Sequence, residues 1–277
     1  MKGFRTIVTD VRVWTGRNYV SIFFSILGSI LVLYIVITLF NVLLQQILFN
    51  PESLLSVATD PTVISSITLT LYASFLATLI AVIFGTPLAY VLARHVFPGK
   101  SLIEAIIDVP VIIPHSVAGL AIYALLMRRG LLGAPLANLG LIFEDSLWGI
   151  VAAMLFVSVP FYLNAAREGF QSVNPHLEYV ARSLGAGPFR TFFEISLPLA
   201  FRHLLTGALM AWSRGISEFG AIIFIAFYPM IAPVLIYYRF TTHGLRGSQP
   251  IAVLLILVCL SIFVVLRVAT KRRMRQK

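Results

Sequence analysis

A chain of 277 residues that is 59% hydrophobic and only 12% charged cannot fold as a water-soluble domain without exposing large apolar patches, so a bilayer is its expected solvent. Its formal charge of +10 would suggest nucleic acid in a soluble protein, but the basic residues flank hydrophobic runs and no basic stripe with interleaved aromatics lies outside them, which excludes that partner. Cys259 is the one cysteine, excluding an internal disulfide and a thiolate metal cluster. A membrane-crossing helix needs about 20 mostly apolar residues. Spans are predicted at residues 20–44, 63–93, 109–127, 147–166, 204–228 and 250–268. The first has an apolar run longer than the roughly 7–15 residues of a cleaved signal peptide, and a long basic preface, so it reads as a retained helix. The third opens with Pro110 and Pro114. With Pro87 and Pro160 these lie within or at the edges of spans, where each removes a backbone donor and bends the helix, either to line a pathway or to pack.

Lys and Arg set the orientation. Lys2, Arg5, Arg12, Arg17, Arg94, Lys100, Arg167, Arg182, Arg190, Arg202, Arg267, Lys271, Arg272, Arg273, Arg275 and Lys277 fall on one side of the six spans. Only Arg128, Arg129, Arg239 and Arg246 fall on the other. The expectation is an all-α membrane protein of six transmembrane helices, with both termini cytoplasmic and one domain over residues 1–277. The basic tail anchors the last helix to anionic lipid.

Between the fourth and fifth spans, a cytoplasmic loop at about 168–200 departs from the apolar pattern. Asn174-Pro175 opens a short helix, with Asn174 as cap and Pro175 in the first helical position. Leu177, Val180, Ala181 and Leu184 recur at helical spacing and give it one apolar face. Gly185 and Gly187-Pro188 end it. A second short helix is predicted at 189–195, stopping before Leu197-Pro198. Two short amphipathic helices bent about a glycine suit either insertion into a groove on a partner or a place on the lipid headgroups.

The segment Glu178-Tyr179-Val180-Ala181-Arg182-Ser183-Leu184-Gly185, followed by Ile195-Ser196-Leu197-Pro198, resembles the EAA loop of ABC-importer permeases. That pattern is Glu-Ala-Ala, three residues, Gly, nine residues, Ile, any residue, Leu-Pro. Gly185, Ile195, Leu197 and Pro198 fall at the family spacing, and Ala181 takes the place of the final Ala. Val180 replaces the first Ala, and Glu178 stands one position further from the glycine. Thr68-Leu69-Thr70-Leu71, Phe84-Gly85-Thr86-Pro87-Leu88-Ala89-Tyr90, Pro110-Val111-Ile112-Ile113-Pro114 and Ser217-Glu218-Phe219-Gly220 are similar to the oxyanion branch of these permeases. Arg128-Arg129-Gly130-Leu131-Leu132-Gly133 and the run 227–233 resemble its archaeal molybdate/tungstate members more than the sulfate or thiosulfate ones.

The resemblance implies an ABC importer type I transmembrane-domain-like fold and a plasma-membrane homodimer. It implies two ATP-binding subunits docked on the cytoplasmic side and an extracellular substrate-binding protein outside. The docking and coupling residues would be Glu178, Ala181, Arg182, Gly185, Ile195, Leu197 and Pro198. ATP and magnesium would be bound by the partner ATPase, leaving this chain without a cofactor. An ion-coupled carrier is the alternative from another class, although no internal inverted repeat is visible.

Arg214 and Glu218 are four apart in the fifth predicted span. Each alone would cost roughly 2.5–3.5 kcal/mol at a bilayer centre, so they face a partner or a watery cleft. They form either a gating pair lining the pathway, with Pro114 and His115 as further candidates, or a neutralising ion pair within the helix. Asp108 reads as a group at the membrane surface with no evident partner. Gly99-Lys100-Ser101 mimics the end of a P-loop, but Arg94 occupies the position that needs glycine. The histidines are not paired at ligand spacing, and no Gly-x-Ser-x-Gly elbow occurs, so no metal site, catalytic group or enzyme is expected.

Overall fold

The computed structural model describes residues 19–275, with side chains described as far as residue 265; within that range the chain forms helices and connecting loops only. The topogenic charges Lys2, Arg5, Arg12, Arg17 and Lys277 lie outside the described residues, and Arg267, Lys271, Arg272, Arg273 and Arg275 are described only in backbone.

The chain divides into two compact units, residues 58–255 and the pairing of 1–57 with 256–277. In the smaller unit, α1 (Tyr19–Leu44) is apolar around its whole circumference and buries no side chain, as a lipid-facing helix does. It runs into a π-helical turn, Gln45–Phe49, and then α2 (Pro51–Thr59). Gln46 is buried there, donating to the Asn50 carbonyl at 2.7 Å and to Ser53 at 2.8 Å.

The larger unit is built on α3 (Pro61–Arg94), α7 (Leu147–Ser172) and α10 (Leu197–Ile216). Asp60 caps α3 by accepting from the Thr62 amide at 2.8 Å, with Pro61 at its first turn. Ala73, Ala77, Ala81, Gly85 and Ala89 repeat every four residues along α3, and Gly207, Ala211 and Gly215 do the same on α10. These stripes let backbones approach closely, the usual basis of helix association in lipid. A Cβ on Gly85 would come within 2.9 Å of the Tyr162 ring, and one on Gly207 within 2.8 Å of the Ala165 Cβ. Buried Tyr162 also shares a 2.5 Å hydrogen bond with Thr86, satisfying its hydroxyl inside the bundle.

Around this core lie α4 (Lys100–Ile112), α5 (His115–Leu126), α6 (Gly133–Asn138), α8 (Pro175–Ser183), α9 (Pro188–Thr191), α11 (Ile222–Ile225) and the part of α12 (Ala232–Arg275) up to residue 255. A cavity of about 470 Å³ opens between α3, α5 and α7, lined by apolar residues such as Phe84, Ile122, Phe156 and Leu163, and offers an oxyanion no donor. Among the described residues, four helical stretches are long and apolar enough to cross a membrane: Tyr19–Phe49, Pro61–Arg94, Leu147–Ser172 and Ala232–Val265.

Three predicted segments take a different form. The stretch 109–127 is not one helix: α4 and α5 meet at 113°. Pro114 disfavours a helical residue before it, and Ile113 is extended at ψ 144°. The stretch 204–228 is likewise interrupted, because α10 ends at Ile216 and only the single turn of α11 follows. Finally, the helix predicted to begin at 250 starts at Ala232 and breaks at Gly244, where φ is +67°. Pro250 sits inside it.

Candidate coupling and pathway sites

The link between α7 and α10 begins as its sequence dictates. Asn174 Oδ1 accepts the His176 amide at 3.0 Å, and Pro175 supplies the first helical residue of α8. The helix closes in a Schellman arrangement: Ala186 N donates to the Ala181 carbonyl and Gly185 N to the Arg182 carbonyl, each at 3.0 Å. Gly185 holds the left-handed conformation this requires, at φ +89°. The predicted second helix does not stop before Leu197-Pro198. Instead α9 passes through a π-helical turn, Phe192–Ser196, directly into α10. In α-helical register Pro198 would clash with the Glu194 carbonyl; the widened turn, with Leu197 N bonded to the Phe192 carbonyl, removes that conflict.

Two surfaces result. The outer one is apolar: Leu177, Tyr179 and Val180 are exposed, as are Leu184 at 83% and Phe189 at 82%. Arg182, Gly185 and Pro198 are exposed beside them, while Ala181 and Ile195 are half-buried. Leu197 packs inward, against the core that holds Tyr162, Phe170 and Leu204.

The inner surface holds Glu178, only 5% exposed. Arg94, the last residue of α3, approaches Glu178 Oε1 at 2.7 Å through Nη2 and 2.8 Å through Nε, and also donates to the Val173 carbonyl at 3.0 Å. Ser196 donates to the same carboxylate oxygen at 2.8 Å, and the Tyr90 hydroxyl to Oε2 at 3.2 Å. Burial pushes the Glu178 carboxyl pKa up. The hydrogen bonds from Arg94 and Ser196, the Arg94 charge and the Tyr90 hydroxyl outweigh that and hold it below the usual glutamate range. Tyr90 itself stacks edge-on against Phe170 and Phe192, with centroids 5.3 and 4.9 Å apart. Glu178 stands out in the sequence through its loop motif, whereas Arg94 shows there only as a topogenic charge and a P-loop mismatch, and Ser196 only as the variable position of the motif. The i, i+4 spacing of Tyr90 and Arg94 at a helix end was the available signal.

A second cluster forms at the α4–α5 elbow. Arg214, in the last turn of α10, donates to Glu218 Oε2 at 2.8 Å and lies 2.7 Å from His115 Nε2. Glu218 is buried just beyond the helix end, and its other oxygen accepts the Ala221 amide at 2.7 Å. The pair thus sits at the terminus of a helix and not in its middle. His115 is the first residue of α5, directly after Pro114, so Pro114, His115, Arg214 and Glu218 do come together. The packing is close, since a Cβ on Gly220 would lie 2.8 Å from the His115 Cβ and one on Gly119 2.5 Å from the Ala221 carbonyl oxygen. Asp108 is not without a partner: Asn164 of α7 donates to it at 2.7 Å, and one turn away Arg167 pairs with Glu104 at 2.9 Å.

Over residues 82–276 the chain matches the model of the family described as binding-protein-dependent transport system inner membrane component. The molybdate/tungstate transport system permease protein WtpB of Pyrococcus abyssi is 47% identical over 252 residues, covering 91% of this chain and 96% of its own length. The protein of the same name from Methanocaldococcus jannaschii is 44% identical over 216 residues, covering 78% and 85%. A probable sulfate transport system permease protein, cysT of Nephroselmis olivacea, is 35% identical over 211 residues, covering 75% and 74%. In fold the chain is similar to a bacterial ABC transporter involved in import of the acidic polysaccharide alginate, at TM-score 0.70 and 18% identity, covering 96% of this chain and all of the other. The chain belongs to the family of binding-protein-dependent transport system inner membrane components, as a translocation subunit and not an enzyme.

Proposed function

We propose that this chain is the membrane subunit of an ATP-driven importer of molybdate or tungstate, working as a homodimer in the plasma membrane. The carrying observation is the exposed apolar face of α8 and α9 between α7 and α10, a surface left uncovered among the described residues. Two ATP-binding subunits dock there, bringing ATP and magnesium that this chain does not hold, and an extracellular binding protein delivers the anion on the opposite side. A bacterial alginate ABC transporter of similar fold has been solved in complex with an alginate pentasaccharide-bound periplasmic protein.

Counting the α4–α5 pair and α10 as one span each gives six, with both termini cytoplasmic by the distribution of Lys and Arg. Residues 1–277 then make up one permease domain, and 168–200 its coupling loop. Closure of the ATPase pair pushes α8 of each copy inward through the surface around Ala181, Arg182, Gly185, Ile195 and Pro198, with Leu197 packed behind it. The spans rock between inward- and outward-facing states about the two-fold axis. Arg214 and His115 at the Pro114 elbow line the passage; Glu218, buried behind them, neutralises Arg214, so an anion is guided and released without being held tightly.

Relatives named for molybdate/tungstate transport support that substrate over sulfate, the second reading, which a 35% identical sulfate-named relative keeps in view. The test is ATP hydrolysis by the complex purified through this chain, in proteoliposomes with its binding protein loaded with tungstate, molybdate or sulfate. Stimulation by tungstate or molybdate alone is expected. Stimulation by sulfate alone would replace the substrate, and the absence of any co-purifying ATPase would return an ion-coupled carrier to first place.

A further inference from the structure

We propose that the Arg94–Glu178 ion pair is the joint through which the coupling helix α8 moves the helical bundle; this rests on the importer reading above. Of the nine residues of α8 only Glu178 is buried, so its firmest hold on the bundle is that one carboxylate. Its far end closes on Gly185 through the Schellman bonds and passes by Gly187 into α9, with open space around both glycines. A push on the exposed face of Leu177, Val180 and Leu184 therefore reaches the spans through one buried carboxylate and through the chain at either end of α8. Arg94 grips two of these routes, holding the Glu178 carboxylate and the Val173 carbonyl with the same guanidinium.

Three long helices converge there. Arg94 and Tyr90 lie one turn apart at the end of α3, Val173 directly follows α7, and Ser196 is the last residue before α10. Tyr90 carries the connection on into Phe170 of α7 and Phe192 of the π-helical turn. An apolar pair of equal volume would hold a fold as well as this ion pair does. What the charges add is direction. Charge-assisted hydrogen bonds from a planar guanidinium are short and fixed in angle, whereas apolar contacts slide. Burial also shields the pair from salt. Arg94 and Glu178 are thus positioning residues, set behind the docking surface and not in it.

The experiment compares the wild-type complex with Glu178→Gln and Arg94→Lys in proteoliposomes containing the binding protein and tungstate. Two quantities are read: ATPase subunit retained on purification, and ATP hydrolysed per anion imported. Loss of folded complexes lowers hydrolysis and import together and leaves that ratio alone, so a merely structural role would not change it. Glu178→Gln is expected to retain the ATPase subunit and to raise ATP per anion about tenfold, the factor carried by one charge-assisted hydrogen bond. Arg94→Lys, keeping the charge but not the fork, falls between. Where Glu178→Gln fails to insert, the double variant Arg94→Gln/Glu178→Gln, which leaves no unpaired buried charge, gives the same loss of coupling. A wild-type ratio in Glu178→Gln or in the double variant overturns the joint, and so does loss of the ATPase subunit, which would make the carboxylate a docking group. Wild-type complex lacking an ATPase overturns the importer reading and this inference together; coupled wild type with equally coupled variants overturns this inference alone.

Discussion

Glu178 ties the stability of the permease to pH. Its carboxyl is held below the ordinary glutamate range in the fold, against burial, mainly by the Arg94 and Ser196 hydrogen bonds. The native state thus binds the proton less readily than the unfolded chain. The stabilisation is complete above the ordinary glutamate pKa and is lost as pH falls through the lowered value. Glu178→Gln, which leaves the Arg94 charge buried and unpaired, is expected to cost about 3 kcal/mol at neutral pH. Unfolding of both proteins in detergent should show a gap that is constant over about pH 6–8 and narrows below about pH 4. A gap that widened on acidification would contradict this. Little of the environment was legible from the residues themselves. Arg94 lies 84 positions from Glu178 and Tyr90 lies 88, so no local period connects them. Arg214 and Glu218 were readable as a pair because they are four apart, whereas His115 reaches Arg214 across 99 positions.

Helix starts proved more legible than helix ends, and the reason is covalent. Asn174-Pro175 and Asp60-Pro61 each combine a side-chain cap with a ring already set at helical φ, and both begin helices in the structure. Leu197-Pro198 invites the opposite reading, yet a π-helical turn absorbs the proline and the helix continues, since tertiary packing of Leu197 rewards continuity. Pro114 has no such turn before it and breaks its helix outright. The end of α8 depends on the left-handed Gly185, around which there is open space. Gly185→Ala should therefore cost only about 1 kcal/mol, from backbone conformation alone. Gly185→Pro fixes φ at the wrong sign and removes the amide that donates to Arg182. Membrane-fraction yield should be unchanged while anion uptake in proteoliposomes falls below about a tenth of wild type, since misplacing a coupling contact by an ångström carries that order of loss. Wild-type uptake would separate the glycine from coupling.

For the whole molecule, composition and the clustering of Lys and Arg announce a multi-pass membrane protein, because lipid permits little besides helices for a chain this apolar. Hydropathy could not place 204–228 correctly, since α10 carries charge and is packed by small residues rather than long apolar ones. The proposed orientation is open to a direct test. In a Cys259→Ala background, a cysteine at Glu52 should react with an impermeant maleimide in intact cells, and one at Gln276 only after the membrane is opened. The reverse pattern would invert the topology. A last consequence follows from the glycines at the α4–α5 elbow. Gly119 lies against Ala221 and Gly220 against His115 with no room for even a methyl group, so the elbow and the segment after α10 cannot slip past one another. An opening beside Arg214 is then a collective displacement of backbone, with a tempo of roughly microseconds to milliseconds and not the picoseconds to nanoseconds of a turning side chain.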